Sequence, residues 1–147
     1  MISKILVAVD GSECANKALD FALALAEKQS ASVVILNVMQ LPAYGSSDDP
    51  LAYSPSMGGI AKDIRKIHES LLSKASERAA AAKPNIHVTT ELREGHPAKQ
   101  IVAATSEGSF DMVVVGHGGQ GRLKEMLLGG VSERVAHLAQ CAVLIVK

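Results

Sequence analysis

Residues 4–12 read Lys4-Ile5-Leu6-Val7-Ala8-Val9-Asp10-Gly11-Ser12, and this stretch decides the fold class. The apolar run does not alternate with polar residues, which is typical of a strand buried on both faces. Asp10-Gly11 then marks a turn, and Ser12 is placed to cap a following helix. A doubly covered strand that leads into a helix indicates a parallel sheet with helices on both faces.

The rest of the chain repeats this alternation of strand and helix. β-Rich runs are predicted at residues 2–9, 32–39, 86–92, 111–116 and 142–146. Helical segments separate these runs, and the second helix is indicated by apolar spacing at Ile60, Ile64, Ile67, Leu71 and Ala75. The predicted class is therefore α/β, a doubly wound open sheet of five parallel strands.

Two further helices complete the pattern. The third opens at Pro97, a favoured residue of the first helical turn, with His96 as a candidate cap. The fourth covers residues 131–138. Between the second strand and the second helix, residues 43–59 hold three glycines, four serines and two prolines. That composition predicts a long mobile loop, a flap beside the carboxyl ends of the strands.

Length and charge narrow the possible functions. The 147 residues have the size of one domain, so a single domain over 1–147 is predicted. Fifteen basic residues balance fifteen acidic ones, which leaves no net field to attract nucleic acid or an anionic membrane. The longest uncharged stretch, residues 29–47, contains a proline and several polar residues and predicts no membrane span.

The two cysteines, Cys14 and Cys141, lie far apart and form no C-x-x-C pair. Such usage favours a reducing compartment and predicts a cytoplasmic protein. Both side chains are expected in the core.

A glycine-rich segment follows the fourth predicted strand. Residues 116–121 read Gly-His-Gly-Gly-Gln-Gly, and 14 residues, 117–130, separate this strand from its helix, against ~2–6 in most such connections. Glycines let backbone N–H groups approach an anion, and Gly129-Gly130-Val131-Ser132 would add the positive end of a helix. The segment predicts anion binding, although glycines that merely form turns remain an alternative.

Two familiar phosphate motifs do not apply. Gly116 to Gly121 fit G-x-G-x-x-G, but the next strand ends Val146-Lys147 without the acidic residue that would bind a ribose. Arg122 and Leu123 stand where a P-loop requires lysine and a hydroxyl. The segment is therefore neither a dinucleotide fingerprint nor a Walker loop.

Gly116, Gly119 and Gly129 have the spacing G-x2-G-x9-G after the apolar run 112–115. With Asp10-Gly11-Ser12 near the start and Gly95-x-Pro97 before the third helix, the chain resembles the universal stress protein family over essentially its whole length. The resemblance implies strand order 3-2-1-4-5, an adenine nucleotide hydrolase-like fold, and ATP, with Mg²⁺ or Mn²⁺ as a candidate ion, between strands 1 and 4.

The resemblance also implies a binding site at Asp10, Val38, Gly116, Gly119, Gly129, Gly130, Val131 and Ser132. The adenine end would meet Asp10 and the backbone near Val38, and the phosphates would meet the glycines and the helix start. Gly130 departs from the family motif, which has serine or threonine there, and Ser132 is a candidate replacement. Asp10 has a second interpretation, in which it only fixes the turn into the first helix. His117 in the glycine segment is either a phosphate contact or a solvated loop residue.

Three function classes compete on this sequence. The leading interpretation is an ATP-binding stress-response sensor with at most slow hydrolysis, because no nucleophile, base and orienting group can be assembled. The alternative is a nucleotide-independent dimeric interaction module. A phosphoacceptor receiver is disfavoured, because its third strand would need a terminal aspartate and here ends Glu91-Leu92-Arg93. In either leading case a homodimer through strand 142–146 is predicted, since in the implied strand order this apolar strand is an edge that lacks charge, proline or a bulge. The alternative is that a loop of the same chain covers it.

Overall fold

The structure is a computed structural model that describes residues 1–41, 56–118 and 129–147, with side chains omitted at 56 and 57. Strands and helices alternate along these ranges. They are β1 (Lys4–Ala8), α1 (Glu13–Gln29), β2 (Ser32–Met39), α2 (Ser56–Ala82), β3 (Val88–Glu94), α3 (Pro97–Glu107), β4 (Met112–Gly116), α4 (Gly130–Leu138) and β5 (Ala142–Val146). β3 is shifted two residues along the chain from its predicted position, β1 begins two residues later than predicted, and α2 begins four residues earlier.

The strands form one parallel sheet in the order β3-β2-β1-β4-β5. This confirms the predicted fold class and the strand order that the family resemblance implies. The chain leaves β1 towards β2 on one side and later returns to pair β4 on the other. Such a reversal opens a crevice at the carboxyl ends of β1 and β4, where ligands bind in doubly wound folds.

The core has two parts, one on each face of the sheet. One part packs β1 and β2 against α1 and α2 and includes Ile5, Val7, Leu19, Leu23, Val33 and Ile35. The other packs the opposite face against α3 and α4 and includes Leu6, Leu36, Ile101, Val113 and Val135. Adjacent residues of β1 thus point into different core layers, which explains its unbroken apolar run.

The turn from β1 into α1 is built as predicted. Ser12 is the N-cap of α1, and its Oγ accepts a hydrogen bond from Ala15 N at 3.1 Å. Gly11 has a φ of +83°, a conformation that favours glycine. His96 does occupy the N-cap position of α3, but its side chain makes no capping hydrogen bond.

Helix α2 begins earlier than the sequence indicates. Residues 56–59 are helical, so the loop prediction is wrong for them, and the rest of the predicted flap, residues 43–55, lies outside the described residues. Gly58 and Gly59 weaken the helical signal because each costs about 1 kcal/mol relative to alanine in a helix. Packing further along α2, at Leu72 and Ala75, supports the helix instead.

The first turns of α2 extend beyond the sheet. The helix has 27 residues, about 40 Å, whereas β2 has 8, about 26 Å. Ile60 in these turns is 43% exposed, whereas Ile67, next to the residue that contacts β2, is 65% exposed because it lies on the solvent side of the helix. The apolar spacing identified the helix correctly, but only its later half packs on the core.

Helices α1 and α2 are joined by charged pairs. Arg78 donates from Nε and Nη2 to the two carboxylate oxygens of Asp20, at 2.8 and 2.6 Å. The hydrogen bonds to Arg78 hold the pKa of Asp20 below its ordinary value of 3.8. Lys83 makes a similar contact with Glu27 at 2.5 Å.

The far edge of the sheet is apolar and only partly covered. Val143, Leu144 and Ile145 of β5 are half-buried, and Leu138 at the end of α4 is 56% exposed. Cys14 and Cys141 are unpaired and half-buried rather than fully buried, and Cys141 packs against the core layer beneath α3 and α4. Partial burial raises the pKa of the Cys141 thiol. In the described ranges, no helix combines the length and apolarity needed to cross a membrane.

Candidate functional site

A cavity of about 420 Å³ opens at the carboxyl ends of β1, β2 and β4. Its volume lies within the range of ~300–1,000 Å³ for small-molecule sites. The structure brings seven of the predicted site residues to its wall: Asp10, Val38, Gly116, Gly129, Gly130, Val131 and Ser132. The eighth, Gly119, lies outside the described residues. His117 is not part of the described wall.

Asp10 lies at the exposed rim of this cavity, and its Oδ1 accepts a hydrogen bond from Ser12 N at 2.9 Å. The carboxylate therefore does stabilise the turn into α1. It also supplies negative charge to the described cavity wall, so the two interpretations of Asp10 are compatible. Among the described residues, no group of three or more His, Cys, Asp and Glu side chains is placed to hold a metal ion.

Val38 contributes its backbone at the point where β1 ends. The backbone N–H and C=O groups of the even-numbered residues of β2 point towards β1. Ser32 N donates to Ser3 O, and Leu36 O accepts from Val9 N, both at 2.9 Å. Val38 N–H would be the next donor in this ladder, to Val9 O. Within the described chain no such backbone bond forms. The N–H and C=O of Val38 thus face the crevice side by side.

The carbonyl of Val9 has a different partner. Asn37 donates from Nδ2 to Val9 O at 2.6 Å, and its Oδ1 lies 2.5 Å from Nδ1 of His68 on α2. Asn37 is 2% exposed, and both side chains contribute to the cavity wall. Sequence reasoning missed this pair. The available signal was a polar residue at a core-facing position of β2, two residues after Ile35.

The two ends of the glycine-rich segment are fastened to each other. His117 N donates to Val146 O at 2.7 Å, and His117 O accepts from Gly129 N at 2.9 Å. The Ser132 hydroxyl, which is buried, lies within donating distance of His117 O and Gly129 O, at 3.1 and 3.0 Å. In this arrangement the Gly129 N–H and the Ser132 hydroxyl hold the backbone rather than a ligand.

The first turn of α4 leaves other donors available. The N–H groups of Gly130 and Val131 have no acceptor within the helix, and the helix dipole places partial positive charge there. Both residues belong to the cavity wall. Gly130 stands where the family motif has serine or threonine, and the glycine keeps the backbone N–H donor while lacking the hydroxyl group.

Gly116 is required by packing. A Cβ at this position would lie 2.9 Å from the carbonyl carbon of Cys14 and 3.0 Å from its carbonyl oxygen. Real Cβ atoms do not approach backbone so closely, so the first turn of α1 can rest on β4 only over a glycine. The turn-forming and packing interpretation therefore explains this glycine without a ligand.

Comparisons with known proteins agree with the fold. A model described as the universal stress protein family matches residues 1–147. Universal stress protein YxiE of Bacillus subtilis is 37% identical over 150 residues, covering all of both chains. UspA from Lactobacillus plantarum aligns with a TM-score of 0.84 at 23% identity, over 99% of this chain and 98% of that one. A universal stress protein solved in complex with cAMP aligns with a TM-score of 0.74 at 26% identity, over 99% of this chain and 97% of that one.

Proposed function

The chain belongs to the universal stress protein family, and on this basis we propose that it binds an adenine nucleotide, ATP, as a nucleotide-responsive regulator of the stress response. The site is the cavity at the carboxyl ends of β1, β2 and β4. Binding of cAMP by a structural relative at 26% identity supports an adenine ligand. The proposed response is a change of state on binding, with at most slow hydrolysis.

The observation that carries the proposal is the backbone of Val38, whose N–H and C=O make no hydrogen bond to β1 or to the turn after it within the described residues. Adenine presents an amino donor beside a ring-nitrogen acceptor. The C=O of Val38 can accept from the amino group, and the adjacent N–H of Val38 can donate to the ring nitrogen. Leu36, Val38 and Ile101 supply apolar wall nearby, as a flat aromatic base requires.

The phosphates would lie at the opposite end of the cavity. β1 separates β2 from β4, so the base and phosphate ends are about 10 Å apart, two strand spacings. Gly130 and Val131 offer N–H groups there at the positive end of α4. Gly119 belongs to the proposed site on the strength of its sequence motif. Mg²⁺ or Mn²⁺ would accompany the phosphates, with Asp10 as the acidic side chain on the described wall.

Regulation fits the described wall better than rapid turnover. Asp10 and His68 are its titratable side chains, and each already holds a hydrogen bond within the protein, to Ser12 N and to Asn37. These bonds fix the orientation of both side chains, and the proposal assigns neither of them a step in hydrolysis. The proposed location is the cytoplasm, in keeping with two unpaired cysteines.

A homodimer through β5 is part of the proposal. The strand pairs with β4 on one side, and its other edge carries half-buried Val143 and Ile145. Exposed apolar edges recruit other strands, and a second copy can pair antiparallel about a two-fold axis. The nucleotide-independent interaction module remains the second candidate function, because association through the β5 edge requires no bound nucleotide.

Isothermal titration calorimetry with ATP and inosine triphosphate (ITP) tests the proposal. The inosine base has a carbonyl where adenine has its amino group and a ring N–H where adenine has an acceptor, so both contacts to Val38 become mismatched. We expect ATP to bind at least ~10-fold more tightly, since two hydrogen bonds are lost and each costs about 1 kcal/mol. Equal affinities would refute the assigned base site. A dimer in sedimentation that binds neither nucleotide would support the interaction module instead.

A further inference from the structure

Val9 O can accept from two competing donors at the end of the sheet. One is Val38 N–H, which continued parallel pairing would bring to it. The other is Asn37 Nδ2, which holds it at 2.6 Å. If the backbone bond formed, the ladder would extend by one step and the Val38 N–H would turn away from the ligand. A carbonyl oxygen has two lone pairs, yet within the described residues Val9 O accepts from Asn37 Nδ2 and not from Val38 N.

His68 fixes the orientation of Asn37. Because Nδ2 must face Val9 O, the amide oxygen faces His68, and His68 Nδ1 must carry the hydrogen between them. The bond joins α2 to the end of β2 and prevents the amide from flipping. A flipped amide would place its oxygen against Val9 O, and two acceptors repel each other.

We propose that Asn37, held by His68, is a positioning residue that keeps the Val38 backbone available to the base of the nucleotide. This inference rests on the proposed nucleotide site. A buried amide is costly unless bonded, and apolar Val33 and Ile35 occupy the preceding positions on the same face of β2. The free-energy cost of burying the Asn37 amide is explained if that amide positions the Val38 backbone for ligand binding.

Amide hydrogen exchange of the full-length, ligand-free protein tests the inference directly. We expect the Val38 N–H to exchange rapidly in the unaltered chain and to become protected when ATP is added. In Asn37→Leu, which has similar volume and no donor, Val38 should be protected at least ~10-fold without nucleotide, because a free N–H then pairs with Val9 O. Met39→Leu, a buried change on the same strand, is the control and should leave Val38 exchange unaltered.

Nucleotide selectivity supplies the second measurement. Asn37→Leu should lower the affinity for ATP about 3- to 10-fold, the equivalent of one hydrogen bond, and lower the ratio of ATP to ITP affinity. His68→Asn should preserve both, because its amide nitrogen is as many bonds from Cα as Nδ1 and can still donate to Asn37. His68→Phe removes the donor and should shift Val38 exchange and selectivity in the direction of Asn37→Leu.

The outcomes separate the two hypotheses. Unchanged Val38 exchange in both Asn37→Leu and His68→Phe would overturn the positioning role whether or not nucleotide binds. Failure of the unaltered protein to bind ATP would overturn the proposed function, and with it the role of Asn37 in keeping the Val38 backbone available to a nucleotide base. If thermal melting shows that Asn37→Leu does not fold, the comparison of His68→Phe with His68→Asn decides, and identical behaviour of those two would refute the inference.

Discussion

Replacing Gly116 by alanine should destabilise the ligand-free protein by about 1–3 kcal/mol, the cost of forcing an extra methyl group into a packed interior. The new Cβ would lie 2.9 Å from the carbonyl carbon of Cys14. Ordinary contact between such carbon atoms begins near ~3.5 Å, so β4 and the start of α1 must separate by roughly half an ångström. The backbone cannot absorb this by rotating a side chain.

Thermal unfolding followed by circular dichroism measures the effect. For a chain of this length, 1 kcal/mol corresponds to about 3 °C in Tm, so Gly116→Ala should melt about 3–10 °C lower. Gly118→Ala is the matched control, because no atom of the described residues lies within 4 Å of its added Cβ. Equal melting temperatures for Gly116→Ala and the unaltered protein would show that α1 does not rest on Gly116 as described.

Three other changes test separate contacts. Ile145→Lys places charge on the β5 edge and should convert a dimer to monomer in sedimentation velocity; an unaltered protein that is already monomeric at micromolar concentration would contradict the proposed interface. Asp20→Asn should lower the free energy of unfolding by less than ~1 kcal/mol, because the pair with Arg78 is largely exposed. The unaltered protein has this stabilisation above the ordinary pKa of 3.8 and loses it as the pH falls through the lowered pKa of Asp20 in the folded state, so the two proteins should differ at pH 6 and converge in acid. Identical denaturation curves at pH 6 and pH 3 for both proteins would refute this. Ser132→Ala should lower stability by about 0.5–1.5 kcal/mol through its lost bond to His117 O while ATP affinity stays within ~2-fold; a larger loss of affinity would assign the hydroxyl to the ligand.

The fold class could be predicted from the sequence because its signals are local, whereas the strand order was predicted through the family resemblance. The unbroken apolar run of β1 predicts a strand covered on both faces, and Ser12 and Pro97 mark helix starts through chemistry confined to a few residues. The extent of α2 was not predictable in this way. Gly58 and Gly59 argue against a helix locally, and only the packing of residues a few turns later, such as Leu72, overrides them.

The candidate site was predictable in its residues but not in their pairing. Most of the predicted positions do converge on one cavity, because strand ends of a parallel sheet meet at one edge. The engagement of Gly129 N–H by His117 O could not be foreseen, since it depends on how the glycine-rich segment closes. The bond between Asn37 and His68 joins residues 31 apart in sequence, and no spacing rule links a strand residue to a helix residue at that distance.

Recognition through the peptide groups of Val38 has an evolutionary consequence. If the main chain binds the base, mutation of the residue at position 38 to another strand-forming type leaves the contacting backbone N–H and C=O unchanged. Natural variation at that position would then be nearly silent for the ligand, while position 37, whose amide controls the neighbouring peptide, would tolerate far less. Distant proteins that bind a base in this way would be found by a small polar residue one position before the contacting peptide rather than by a matching side chain at the contact itself.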